Sequence, residues 1–219
     1  MMIRIILVRH GQTSWNRVDR FRGRQDLPLD ATGRGQALAA GRYIAASCPP
    51  SAVYCSPLMR AVETATAIGD ACNLRPQPHP GLIDIDYGEW QGLTPAEAAE
   101  RDPDLHRSWL QEPQAVHIPD GETLGDVRER AFSALQRIIA VHPDDTIVLV
   151  AHTVVNCVLL CAILGLDNSR FWHLRQETAA INIIEWDGHD FTLVSLNQTC
   201  HLQSGLVAQS EREERGEDT

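Results

Sequence analysis

Two short aliphatic runs, Ile5-Ile6-Leu7-Val8 and Ile147-Val148-Leu149-Val150, each stop abruptly a residue or so before a histidine. An unbroken apolar run of this length, bounded by polar residues, predicts a strand buried on both faces. The first strand is expected over 3–8 and ends at Arg9-His10-Gly11; the second, over 146–150, ends at Ala151-His152. Other segments alternate with them. Asp30 or Thr32 opens an amphipathic helix that runs to about Ala46, and a short strand over 52–55 precedes a helix from about Leu58 to Cys72. Thr94-Pro95-Ala96-Glu97 reads as a helix start, with Thr as cap, Pro in the first turn and Glu three residues on. Thr123 opens another helix with Leu124, Val127, Ala131, Leu135 and Ile138 on one face, which Pro143 ends. A nearly all-apolar helix follows the second strand from about Val154 to Leu164, closed by Gly165. Segments 181–186 and 191–196, joined around Asp187-Gly188, predict a β-hairpin. The alternation predicts an α/β protein, a three-layer α/β/α arrangement with a mostly parallel central sheet.

The length of 219 residues suits one domain with a substantial core, expected over 1–202. The remainder, 203–219, ends in a run of Glu, Arg and Asp with nothing apolar to bury, and is expected to be a disordered acidic tail. A formal net charge of −10 argues against a nucleic-acid partner, which requires a basic footprint. It also means that any anion pocket is local, made by a few placed arginines. No apolar stretch is long enough to span a bilayer, and the N-terminal run is too short for a signal-peptide core. The six cysteines lack metal-type spacing and read as free thiols. A cytoplasmic protein with no membrane partner is the expectation; the oligomeric state stays open.

In an open α/β sheet, groups just past the carboxyl ends of strands face the ligand crevice. If the two aliphatic strands are neighbours, His10 and His152 converge on one site, beside the N-terminus of the helix that starts near Thr153. Ser56-Pro57-Leu58-Met59-Arg60 repeats the theme, placing Arg60 in the first turn of a helix. A cation there opposes the helix dipole, so a nearby anion is expected.

Arg9-His10-Gly11, Ser56-Pro57-Leu58-Met59-Arg60-Ala61 with Thr64-Ala65, and Ala151-His152 together resemble the signatures of the histidine phosphatase superfamily, in its phosphoglycerate-mutase-like branch. Asn16, Phe21-x-Gly23-x-x-Asp26-x-Pro28-Leu29, Gly33 with Gln36-Ala37, and Gly88-x-Trp90-x-Gly92 extend the likeness in family order from about Ile3 to Leu196. The resemblance implies phosphoryl transfer in two steps through a phosphohistidine on His10. Arg9, Arg60 and His152 would clamp the phosphoryl oxygens, with Asn16 as a neutral donor. It implies no metal and no cofactor. The proton donor of the family is normally a Glu ahead of the Gly-x-Trp element; here that position is Asp84, one methylene shorter, with Asp86 and Glu89 as rivals. Two further departures stand out. Thr153 replaces the usual Gly after the second histidine, where its hydroxyl would reach the phosphate or cap the helix. Arg22, beside Gly23 in the substrate-facing loop, would favour a carboxylate or a second phosphate.

Hydrolysis and mutase-type transfer share this machinery. The interval between Asp84 and His152 is short and acidic, with Arg101, Arg107, Arg128, Arg130 and Arg137 as its cations besides histidines, and it contains no lysine. That favours an open phosphatase pocket over an enclosed mutase one. A non-catalytic sensor of phosphorylated ligands is disfavoured, since Arg9, His10, Arg60 and His152 are all retained. The expected partner is a small phosphorylated metabolite: phosphoserine, phosphoglycerate or its glycosides, a sugar phosphate, or a nucleoside-like phosphate. Residues near Arg22 and within 94–121 would choose among them. His79, His106, His117, His142, His173, His189 and His201 carry no partner motif and are expected in surface or hydrogen-bonded roles.

Overall fold

A computed structural model of the chain describes residues 2–203. The acidic tail expected over 203–219 lies, from 204 on, outside the described residues. Six strands form one sheet in the order β3-β2-β4-β1-β5-β6: β1 (Ile3–Arg9), β2 (Ala52–Cys55), β3 (Gln77–Pro78), β4 (Thr146–Ala151), β5 (Ile181–Trp186) and β6 (Phe191–Gln198). The first four by position run parallel, and β5 returns antiparallel against β1 before turning into β6. The predicted hairpin is therefore the antiparallel edge of an otherwise parallel sheet.

The two-residue period of the central strands divides the core. In β1, Ile3, Ile5 and Leu7 pack with Ile147, Leu149 and Ala151 of β4 into one cluster, whereas Ile6 and Val8 pack with Val148 and Val150 into the other. Helices α2 (Ala31–Ser47) and α3 (Met59–Cys72) cover the second face through Ala40, Ile44, Ala61, Ala65 and Ile68. Helices α6 (Leu124–Ile139) and α7 (Thr153–Ile163) cover the first through Val127, Ala131, Leu135, Val155 and Val158. Burial on both faces explains why these strands are continuous aliphatic runs rather than alternating ones.

Expected caps hold. Asp30 accepts from Gly33 N at the start of α2, and Thr94 and Thr123 form capping boxes with Glu97 and Asp126. Several short elements went unforeseen, among them α1 (Ser14–Arg17), α5 (Pro103–Gln111), the two-residue β3 and the 3-10 segments. Among the described residues no helix is long and apolar enough to cross a membrane.

Candidate active site

β1 and β4 are adjacent and parallel, with Arg9 beside Ala151. The next residues, His10 and His152, therefore leave the sheet side by side, with ring centroids 5.2 Å apart. Both are buried. The Gly11 carbonyl accepts a hydrogen bond from His10 Nδ1 at 2.7 Å. A carbonyl has no proton to give, so the ring proton sits on Nδ1 and Nε2 carries the lone pair. Burial, then the charges of Arg60, Arg9 and Arg22, hold the His10 pKa well below 6.5. Burial and Arg60 do the same for His152. Both rings are thus neutral at neutral pH, the form in which imidazole is a nucleophile.

The turn after His10 is pinned to α3. Gly11 N donates to Thr64 Oγ1 at 3.0 Å, and that hydroxyl donates to the Arg60 carbonyl at 2.8 Å. A Cβ on Gly11 would lie 2.5 Å from the Gly33 carbonyl oxygen, so only glycine lets the end of β1 pass this close to α2. Arg9 donates through Nη1 to the Gln176 carbonyl. Gln176 belongs to a buried amide network with Asn156 and Asn182, and Asn182 Nδ2 donates to the Leu7 carbonyl at 2.9 Å. Motif reasoning missed this support; the signal for it was one asparagine interrupting an isoleucine strand. Burial, then Arg22, lowers the Arg9 pKa to about 10, which leaves it cationic.

Arg60 is fully buried in the first turn of α3. It donates to the Gln25 carbonyl at 2.7 Å, the Gly23 carbonyl at 2.8 Å and Asp84 Oδ2 at 2.9 Å. These acceptors offset the unfavourable helix dipole, and the anion expected there is Asp84. Asp84 Oδ2 also lies 3.5 Å from His152 Nδ1, while its Oδ1 accepts from Ile85 N. Burial raises the Asp84 pKa above 3.8, against the opposing pull of Arg60 and Arg22. The two rival carboxylates point elsewhere. Glu89 pairs with Arg101 at 2.6 Å, and Asp86 pairs with Arg24 at 3.2 Å.

Arg9, His10, Arg22, Asp84 and Thr153 line a cavity of about 490 Å³. Buried nitrogens of Arg9 (Nε), Arg22 (Nε), Arg60 (Nε) and His152 (Nδ1 and Nε2) have no hydrogen-bond partner among the described residues. Orphaned buried donors are costly. Collecting several of them on cationic residues around one histidine makes a seat for an anion. Arg22 Nη1 has only long contacts, 3.4 Å to the Trp15 carbonyl and 3.5 Å to that of Arg20, and Arg22 makes no ion pair among the described residues.

The structure narrows the expectation for Thr153 and corrects the one for His106. Thr153 does not cap α7: the cap position is His152, and Thr153 is the first helical residue, facing the cavity. Of the expected site residues, Asn16, Gly23, Arg60 and His152 do not line the cavity; Arg60 and His152 stand just behind it, against Asp84. Asn16 Oδ1 accepts from Thr13 N and Oγ1, both at 2.9 Å, closing the start of α1, and Gly23 holds Arg60 through its carbonyl. His106, expected in a surface or hydrogen-bonded role, lines the cavity with its ring 5.9 Å from that of Trp90. The outer wall is aromatic, with Phe21, Tyr87, Trp109, Phe171 and Trp172. Trp172 Nε1 donates to the Trp109 carbonyl at 2.7 Å, tying α5 to the 3-10 segment Asn168–His173.

The family model of the histidine phosphatase superfamily, branch 1, matches residues 5–199, and the chain belongs to that superfamily. Phosphoserine phosphatase 1 of Hydrogenobacter thermophilus is 35% identical over 201 residues, which cover 92% of this chain and 95% of that protein. A metal-independent phosphoserine phosphatase of Arabidopsis thaliana is 29% identical over 203 residues, 91% of this chain and 83% of that one. The solved structure of YhfR from Bacillus stearothermophilus superposes with a TM-score of 0.86 at 30% identity, covering 91% of this chain and 99% of the other. The chain is a phosphoric monoester hydrolase of this superfamily, whose members act through a phosphohistidine.

Proposed function

We propose that His10 is the nucleophile, that Asp84 is the proton donor, and that the substrate is a small phosphomonoester bearing a carboxylate, in the manner of O-phosphoserine. The observation that carries this reading is a neutral, buried His10 between three guanidinium groups, with one buried carboxyl group beside it. His10 Nε2 attacks phosphorus, and the P–O ester bond breaks. Asp84 gives its proton to the departing oxygen. Water then attacks the phosphoryl group on His10 and passes a proton to Asp84. The P–N bond breaks, its electron pair returns to Nε2, and inorganic phosphate leaves.

Arg9, Arg60 and His152 offer donors to the phosphoryl oxygens, and their attraction grows as charge builds on those oxygens in the transition state. A phosphate dianion arriving beside Asp84 competes for Arg60. It also adds a like charge, which favours the protonated acid that the first step needs.

The placement of Arg22 supports the carboxylate. With Asp84 protonated, Arg9 and Arg60 match the two charges of a phosphate dianion, and Arg22, which makes no ion pair among the described residues, is a further cation on a cavity wall that it shares with Asp19. The names of the Hydrogenobacter and Arabidopsis relatives point the same way. Six free cysteines accord with a reducing cytoplasmic setting.

The test is phosphate release from O-phosphoserine and from phosphoethanolamine, which lacks the carboxylate, in excess chelator. Wild-type protein prefers phosphoserine, Arg22→Gln brings the two substrates together, and His10→Ala releases phosphate from neither. Equal wild-type rates on the two esters would remove the carboxylate from the proposal, and an active His10→Ala variant would remove the nucleophile.

A further inference from the structure

Asp84 sits in a stretch, 83–87, with neither helix nor strand to fix it. Backbone carbonyls in such a segment need other partners when buried. They find them in a single side chain. Arg130, on α6, donates through Nη1 to the carbonyls of Gly81 at 3.1 Å and Ile83 at 2.6 Å, and through Nη2 to that of Asp84 at 3.1 Å. Its Nε and Nη2 donate to Glu122 Oε1 and Oε2 at 2.8 and 2.9 Å. A guanidinium has five N–H groups. All five are spent here, three on the backbone around Asp84 and two on one carboxylate.

Glu122 closes the clamp from the other side. Its Oε2 accepts from Asp86 N at 3.0 Å, and its own N–H donates to the Asp86 carbonyl at 2.9 Å. Arg24 braces both, lying 3.3 Å from Glu122 and 3.2 Å from Asp86. Gly81 lets the segment lie directly on α6: a Cβ there would meet Ala134 Cβ at 2.6 Å and the Arg130 carbonyl at 3.0 Å. Carbonyls on both sides of the Asp84 Cα are thus tied to a rigid helix.

We infer that Arg130, locked by Glu122, is the positioning residue that holds Asp84 in register with the ester oxygen. This rests on the reading of Asp84 as proton donor. Asp84 makes such a support necessary. With only one methylene between backbone and carboxyl group, it cannot compensate for a displaced main chain by changing rotamer, as a longer acid would. Lysine has the charge of arginine without the planar five-donor fork, so it cannot bridge three carbonyls and a carboxylate at once.

The experiment separates proton donation from general structural support by the acidity of the leaving group. The quantity read is kcat/KM, which reports phosphoryl transfer to His10. A nitrophenol departs without a proton, whereas the serine alkoxide requires one. Arg130→Lys and Glu122→Gln are compared with Asp84→Asn on 4-nitrophenyl phosphate and O-phosphoserine, with folding of each variant followed by thermal unfolding. For Arg130→Lys the expected loss on phosphoserine is on the order of 10²-fold, as for a reacting group displaced by about 1 Å. On the aryl ester the expected loss is less than about threefold, with Glu122→Gln following the same pattern more weakly.

Equal losses on both esters in folded Arg130→Lys and Glu122→Gln, or no loss on either, would overturn the inference while leaving the Asp84 reading intact. If Asp84→Asn itself fails to discriminate between the esters, the donor assignment falls first, and the role of Arg130 falls with it.

Discussion

The two halves of the active site are built differently. His10, Arg9 and His152 stand at the ends of paired parallel strands, where the ladder register sets their spacing and side chains on both faces are packed tightly. Asp84 and the aromatic outer wall come from irregular segments and short helices, held by side-chain bonds such as those of Arg130 to the carbonyls around Asp84 and of Trp172 to that of Trp109. The division follows the chemistry. Attack on phosphorus has the same geometry for every phosphomonoester, so it is entrusted to the sheet. The leaving group differs between substrates, and the elements that meet it are those a sequence can vary without disturbing the core.

Substitutions on the two sides should therefore fail in different ways. The largest effect is expected on the strand side: His10→Ala lowers kcat/KM on the order of 10⁴-fold for alkyl and aryl esters alike, measured by steady-state phosphate release. A comparable loss confined to alkyl esters would break the comparison. On the loop side, Asp84→Asn lowers turnover of O-phosphoserine by about 10²- to 10³-fold, whereas Glu89→Gln stays within about twofold. Glu89 faces Arg101 at the surface, so a deep loss in that variant would move the proton donor.

A smaller effect lies in pH dependence. Burial and neighbouring guanidinium groups depress the His10 pKa, so the acid limb of kcat/KM falls well below 6.5. Burial raises Asp84, so the alkaline limb lies above 3.8, and Asp84→Asn abolishes it. Stability follows the same groups. Each histidine binds fewer protons folded than unfolded, so its contribution is lost as the pH drops below 6.5. Asp84, held protonated above its ordinary range, contributes below 3.8 and loses that contribution as the pH rises through its folded pKa. Denaturant titrations across this range check both signs.

The smallest effect concerns Arg22. Its charge is the second cause lowering the Arg9 pKa and also lowers that of Arg60, a repulsion that no ion pair of Arg22 among the described residues offsets. Arg22→Gln is expected to stabilise the free protein by roughly 0.5–2 kcal/mol while weakening its protection by added phosphate. A lower melting temperature would mean that Arg22 supports its own loop rather than serving the ligand.

The same division governs what the sequence discloses. Strand ends are legible because a doubly buried strand is a run of aliphatics, and whatever polar residue stops it faces the crevice; Arg9, His10 and His152 emerge that way. Helices with capping boxes, at Thr94 and Thr123, are equally plain. Arg130 and Glu122 were invisible because they hold main-chain groups dozens of positions away, carbonyls for Arg130 and the Asp86 N–H for Glu122, which leave no residue-type signature. His106 and Trp172 were missed for a related reason. Their place beside the cavity depends on how α5 and the Asn168–His173 segment fold back over the sheet, and no periodicity encodes that. Asn16 is legible only in part: the motif offers it as a donor and does not disclose that its carboxamide oxygen accepts from Thr13.

The measurement that bears most directly on the central claim is chemical trapping of the intermediate. Asp84→Asn, mixed with 4-nitrophenyl phosphate in excess chelator and quenched in alkali, should accumulate an acid-labile phosphoryl group that maps to His10, because the aryl ester loads the enzyme and the missing base slows its hydrolysis. Absence of any phosphoenzyme in this variant, or a phosphoryl group mapping to a residue other than His10, would contradict the account.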